Sequence, residues 1–247
     1  MLNAFRKLLL WQRFLILGLV GVVAMAVPLF LVTQSESEQI RVAVDEDAGI
    51  DYVRPAMQAL KELQLHRGTS GLALQGDAEA ATRRRDAAAA LQRTLDELGK
   101  QLQATGSYKG SMESLQAVSR DFRQLVERVS NRQLDATASF VAHTDLAQRI
   151  LLLIENIGDE SGLTLDPVAE SYYVMTAVVD ALPQAAESLA AARGRGAALL
   201  AQHHAGKEVG AADRQEAISY GRGAERWSER AKRQIDKALA LRPALKT

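Results

Sequence analysis

From Phe14 to Val32 the chain reads FLILGLVGVVAMAVPLFLV, 19 residues without a charge. No other feature constrains the fold as strongly, because about 20 apolar residues in a helix are what crosses a ~30 Å hydrocarbon layer. With Leu8 to Trp11 before it, the run predicts a transmembrane helix. Arg6, Lys7 and Arg13 precede it, while Glu36, Glu38, Asp45, Glu46 and Asp47 follow. The basic flank therefore marks the cytoplasmic side and the rest of the chain is expected outside. A cleavable signal peptide is the competing reading, since Ala24-Met25-Ala26 has the small-x-small form of a cleavage site, although cutting there leaves VPLFLV as the new N-terminus. Gly18, Gly21 and Ala24, spaced by three, offer a small-residue face for contact between two such helices. No second run of this length follows: LLLIENIG, starting at Leu151, is short and carries Glu155.

The organisation expected is thus 1–33 as a cytoplasmic tip and transmembrane helix, then 34–247 as an extracytoplasmic domain. At 247 residues, 47% hydrophobic and 24% charged, the chain is too rich in core-forming residues to be disordered. It has no cysteine, which removes disulfides, thiolate metal sites and cysteine nucleophiles together. Its 30 basic and 30 acidic residues balance only overall, since the basic excess before Val32 leaves the remainder acidic by three charges. Nucleic acid is not an expected partner of such a surface.

Beyond the first segment the pattern is all-α. Alanine, leucine, glutamine, glutamate and arginine dominate, and no stretch alternates with period two for long. Five helices are expected: Ser35 to Leu74, with an interruption possible near Ala48-Gly49; Ala78 to Ala104; Ser111 to Ile157; Val168 to His204; and Ala211 to Leu241, closed by Pro243. In the third, Leu115, Phe122, Val129, Ala136, His143, Ile150 and Ile157 recur every seven residues, with Val118, Leu125, Arg132, Ser139, Leu146 and Leu153 as a second seam. The fourth carries Val168, Met175, Leu182, Leu189 and Gly196 beside Tyr172, Val179, Ala186, Arg193 and Leu200. Such seams, joined by short loops, predict an up-and-down antiparallel bundle. The fifth has few apolar positions, Ile218, Trp227, Ile235 and Leu239, and an additional partner helix would help to cover them.

The third helix breaks its own rule in the middle, where Arg132, Ala136, Ser139 and His143 occupy successive seam positions. Either the helix bends or changes partners there, or it lines a polar pocket between helices. The first helix contains Leu65-His66-Arg67-Gly68-Thr69-Ser70-Gly71, in which two glycines each cost about 1 kcal/mol relative to alanine in a helix interior. They suggest close approach of another backbone or a ligand. Tight turns near Gly76 and Ser107 place Arg67, Asp86 and Arg132 in one layer. That layer holds either an Arg67–Asp86 ion pair or a pair of guanidiniums that receives a carboxylate or oxyanion. Tyr172 adds a hydroxyl at a pocket mouth, with core or rim packing as its alternative role.

No P-loop, dinucleotide fingerprint, nucleophile elbow or zinc-protease motif occurs, and no enzymatic activity or cofactor is expected. Adjacent His203 and His204 point to different faces of a helix and do not form an i, i+4 metal pair. Asp45-Glu46-Asp47 lacks the spacing of a calcium loop.

Residues 53 to 98, VRPAMQALKELQLHRGTSGLALQGDAEAATRRRDAAAALQRTLDEL, resemble the start of the extracytoplasmic helical sensor regions of bacterial methyl-accepting chemotaxis proteins. More distantly they resemble the nitrate- and nitrite-sensing domain, whose first helix carries a similar Arg-Gly-x-Ser element, here Arg67-Gly68-Thr69-Ser70. SGLTLDPVAESYYVMTAVVDALPQAAESLAAARGRGAALLA, Ser161 to Ala201, resembles a segment of the same receptors and of related membrane-bound diguanylate cyclases and histidine kinases. The resemblance implies a sensory input region in a bacterial inner membrane, single-pass, with its bulk periplasmic. The helical seams, with no closing partner for the fifth helix, predict a homodimer, and the polar layer predicts a small ligand, with an anion as the candidate class and Arg67, Ser70, Arg132, His143 and Tyr172 as candidate binding residues. The resemblance further implies a closing helix, a second span and an output module, none of which follows the fifth helix in this sequence, so a truncated receptor or an isolated N-terminal part is expected. The other class is a membrane-anchored helical scaffold or interaction protein without a ligand.

Overall fold

The computed structural model describes residues 9–165, 167–204, 206 and 208–246. Among these there are seven α-helices and no strand: α1 Leu10–Leu74, α2 Ala78–Thr105, α3 Lys109–Ser130, α4 Ala136–Glu160, α5 Ala169–Met175, α6 Leu182–His204 and α7 Ala211–Leu241. A π-helical segment, Thr176–Ala181, joins α5 to α6. The chain divides into two compact units, Met1–Asp45 and Glu46–Thr247.

In the first unit the backbone is helical from Leu10, and the described apolar side chains, Phe14, Leu19, Val22 and Met25 among them, are exposed. Among the described residues no helix is long and apolar enough to cross a membrane. The side chains of Ile16, Leu17, Leu31 and Val32 within the uncharged run, and those of the charged residues flanking it, lie outside the described set.

The second unit is an up-and-down bundle. Tyr52 stacks edge-on against Tyr108 and His66 against Phe122, which fixes this part of α1 parallel to α3. Asn156 donates to Ser114 at 2.8 Å and Arg149 pairs with Asp121, so α4 runs antiparallel to α3. Leu60 and Leu63 from α1 meet Leu91, Leu95, Leu98 and Leu102 from α2, Leu115, Phe122 and Val129 from α3, and Ile150, Leu153 and Ile157 from α4 in one core. The expected heptad rows of 115–157 are therefore the buried rows, except at Arg132 and Ala136.

At that point the expected single helix is two. Gln133 N–H bonds to the Arg128 carbonyl at 2.9 Å and Arg132 N–H to Val129 at 3.2 Å, a Schellman closure with Arg132 left-handed at φ 53°. Asp135 then caps α4 by accepting from Ala138 N–H at 2.7 Å. The break escapes the sequence pattern because arginine, not glycine, occupies the left-handed position. The hairpin is closed at its other end by Glu160, whose carboxylate accepts from Gly110 N–H at 2.7 Å, Ser111 N–H at 2.9 Å and Ser111 Oγ at 2.6 Å. Burial pushes the Glu160 carboxyl up, but these bonds to the charged form outweigh it and hold the group below the ordinary glutamate value.

Two further expectations need correction. Helix α1 runs through Ala48-Gly49 without interruption; a Cβ at Gly49 would lie 2.4 Å from Ser161 Cβ, so this glycine serves close packing on the α4–α5 connection rather than a break. In the fourth expected helix, Pro183 lacks an N–H and clashes with the carbonyl four residues back, and the π-helical turn just before it absorbs that conflict. The extra residue shifts the helical phase. Leu182, Leu189 and Leu200 are exposed, whereas Ala185, Glu187, Ala191, Arg195 and Leu199 are buried. Helix α7 likewise buries the alanine row Ala224, Ala231 and Ala238, and leaves Ile218 and Ile235 exposed.

Candidate functional site

Adjacent residues of α1 reach two different helices. Arg67 Nη1 lies 2.5 Å from Glu187 Oε1 on α6 and Nη2 lies 3.4 Å from Oε2, a forked pair in which both side chains are 3% exposed. Gln64 Nε2 donates to Glu187 Oε2 at 3.0 Å, and Arg67 Nη1 donates to Thr144 Oγ1 at 3.1 Å. The guanidinium also sits 5.2 Å from the centre of the Phe140 ring. Every strong partner of this ion pair is thus supplied by α1, α4 or α6.

His66, one residue earlier, turns towards α4. Its Nδ1 is 2.8 Å from His143 Nε2, and His143 Nδ1 is 2.6 Å from the Ser139 carbonyl. A carbonyl only accepts, so His143 carries its proton on Nδ1, leaves Nε2 as an acceptor, and receives the Nδ1 proton of His66. Both rings are neutral in this arrangement. Burial pushes His66 down to about 3, reinforced by the His143 ring and Arg84. Burial pushes His143 down to about 4, opposed by its Ser139 bond and reinforced by Arg67.

Beside the ion pair lies a cavity of about 410 Å3 between α1, the start of α4 and α6, with Arg83 of α2 also lining it. Leu65, Leu72, Phe140 and the alanines of α6 supply apolar wall, and Gly68 and Gly71 form part of its α1 side. A Cβ at either glycine would meet nothing within 4 Å. These glycines therefore do not admit a neighbouring backbone; they enlarge an open space.

The expected site residues separate. Arg67 and His143 share the buried layer, linked through neighbouring positions of α1 and α4. Ser70 is buried with its hydroxyl unpartnered among the described residues, and it does not line the cavity. Arg132 is exposed in the α3–α4 turn and Asp86 is exposed on α2, so neither joins Arg67 in a layer. The turn at Arg132 ends the helix that was to carry it there. Tyr172 is 41% exposed, packs edge-on against Tyr173, and lines a different cleft with Asp159, Asp180 and Arg230. Sequence reasoning missed His66 and Glu187. His66 stood beside the arginine that drew notice, whereas Glu187 shows its role only once the π-helical turn has set the phase of α6.

No group of three or more metal-ligating side chains is gathered among the described residues. Comparison with known proteins returns no matching family model, no matching curated protein and no matching solved structure.

Proposed function

We propose that this chain is the sensory input region of a bacterial transmembrane signalling receptor of the chemoreceptor kind, which binds a small ligand in the cavity beside Arg67. The observation that carries the reading is the cavity itself, open to about 410 Å3 and set against a buried ion pair that ties α1 to α6. A ligand that favours one packing of these helices shifts the equilibrium towards it, and α1 is the element by which that shift leaves the site. The anchor in this reading is Phe14 to Val32, supported by its 19 uncharged residues and by the exposure of its described apolar side chains. The output is a chemotaxis module, with a diguanylate cyclase or histidine kinase as the other modules such an input region serves.

A second reading, an anchored scaffold or self-associating helical protein without a ligand, is favoured by the exposed Leu182, Leu189 and Leu200 on α6. An export-dependent reporter enzyme fused after Thr247 tests the anchor and its orientation: activity is expected, and a reporter active only in the cytoplasm overturns the topology. Titrating the purified chain with candidate ligands separates the two readings, because the scaffold leaves the melting temperature unmoved.

A further inference from the structure

We infer that the cavity between α1, α4 and α6 takes a small amphiphilic monoanion, an organic carboxylate with a compact apolar body and no cationic group. The inference deepens the sensor reading and rests on it for the cavity being a ligand site. Its first ground is charge. Among the described residues the charged side chains lining the cavity are Arg67, Arg83, Arg193 and Arg195, with no aspartate or glutamate. Two of these arginines are already held by acids that do not line the cavity, Arg67 by Glu187, and Arg195 by both Asp213 at 2.5 Å and Glu216 at 2.7 Å. Arg83 is half exposed and its pairing with the exposed Glu79, at 3.5 Å, is a solvated surface contact, and Arg193 is exposed with no ion pair among the described residues. Arg83 and Arg193 are therefore the guanidiniums available to an incoming anion, with the forked donors that suit a carboxylate.

The second ground is the remaining wall. Leu65, Leu72, Phe140 and the α6 alanines present apolar surface, which offers nothing to a strongly hydrated inorganic anion and a favourable contact to a hydrocarbon body. An ammonium group would find no carboxylate in the cavity wall among the described residues and would face the exposed Arg193 and Arg83 guanidiniums, which argues against free amino acids. The volume of about 410 Å3 lies near the lower end of ligand pockets, so the body is small. Gly68 and Gly71 keep that volume open on α1, where alanine would favour the helix.

A matched set of probes tests this on the full chain in detergent, by melting temperature and calorimetry. Hexanoate supplies body and charge, hexanol the body alone, nitrate the charge alone, and norleucine the same carbon skeleton with an ammonium added. Saturable binding of hexanoate is expected, at least tenfold tighter than any of the other three. Arg193→Gln combined with Arg83→Gln should weaken hexanoate at least tenfold and leave hexanol unchanged. Gly71→Leu should fill the cavity and abolish binding without lowering the melting temperature of the free protein, with Gly71→Ala as the milder variant if leucine disturbs folding. Equal binding of hexanol or norleucine overturns the anion class while leaving the cavity a ligand site. No binding of any probe at millimolar concentration, with Gly71→Ala merely raising the melting temperature, makes the cavity a packing void and overturns the class and the ligand site together.

Discussion

Removing one half of the Arg67–Glu187 pair should be among the most damaging single changes to this bundle. Among the described residues, Glu187 keeps only the Gln64 bond at 3.0 Å in Arg67→Ala, and Arg67 keeps only Thr144 at 3.1 Å and the Phe140 ring in Glu187→Ala. Either change leaves a formal charge where the side chain was 3% exposed. An uncompensated buried charge of this kind costs about 3–5 kcal/mol. In a domain near 200 residues that corresponds to a fall in melting temperature of about 10 °C. The two losses should not add, because the second substitution removes the charge that the first stranded. Arg67→Met with Glu187→Leu should therefore restore most of the stability, since well-packed apolar replacements of buried pairs are often neutral. Asp86→Ala, by contrast, should cost under about 0.5 kcal/mol at an exposed position. Urea and thermal unfolding of the four variants decide the matter. Single substitutions costing under about 1 kcal/mol, or costs that simply sum, would refute the buried pair, and a large effect at Asp86 would restore the partner suggested by sequence alone.

The two neutral histidines predict an acid-sensitive fold. Because His66 and His143 are held at about 3 and about 4, the unfolded chain binds more protons between there and the ordinary value of 6.5. Stability is full above about pH 6.5 and falls as pH drops towards 4; denaturant unfolding across that range should show the slope, and His66→Phe should flatten it. Arg132→Gly should stabilise the protein by about 1 kcal/mol, because glycine carries no penalty at the left-handed φ of 53°; an unchanged or lower unfolding midpoint would exclude strain there. Gly49→Ala should cost about 1–3 kcal/mol through the contact with Ser161, although alanine is the better helix former. A rise in melting temperature would mean that α1 does not pack so closely on the α4–α5 connection.

Local chemistry was enough to determine the helical class, the turns near Gly76 and Ser107, and the buried rows of α3 and α4. Helix propensity and the seven-residue recurrence of Leu115, Phe122, Ile150 and Ile157 act within a few turns, and they are visible without knowing what lies opposite. The alternation of α1 to α4 follows from the short connections between them. Where the chain departs from ideal geometry, sequence was silent. Arginine in a left-handed cap at position 132 splits one expected helix into a hairpin, and the π-helical turn before Pro183 rotates every later position of α6. That rotation replaces Leu189 by Glu187 on the inner face, and so determines which acid meets Arg67. The cavity is likewise a property of four helices at once. Gly68 and Gly71 announced an unusual place on α1, but only the positions of α4 and α6 decide that the space beside them stays open, because the room a missing side chain leaves depends on what packs against it.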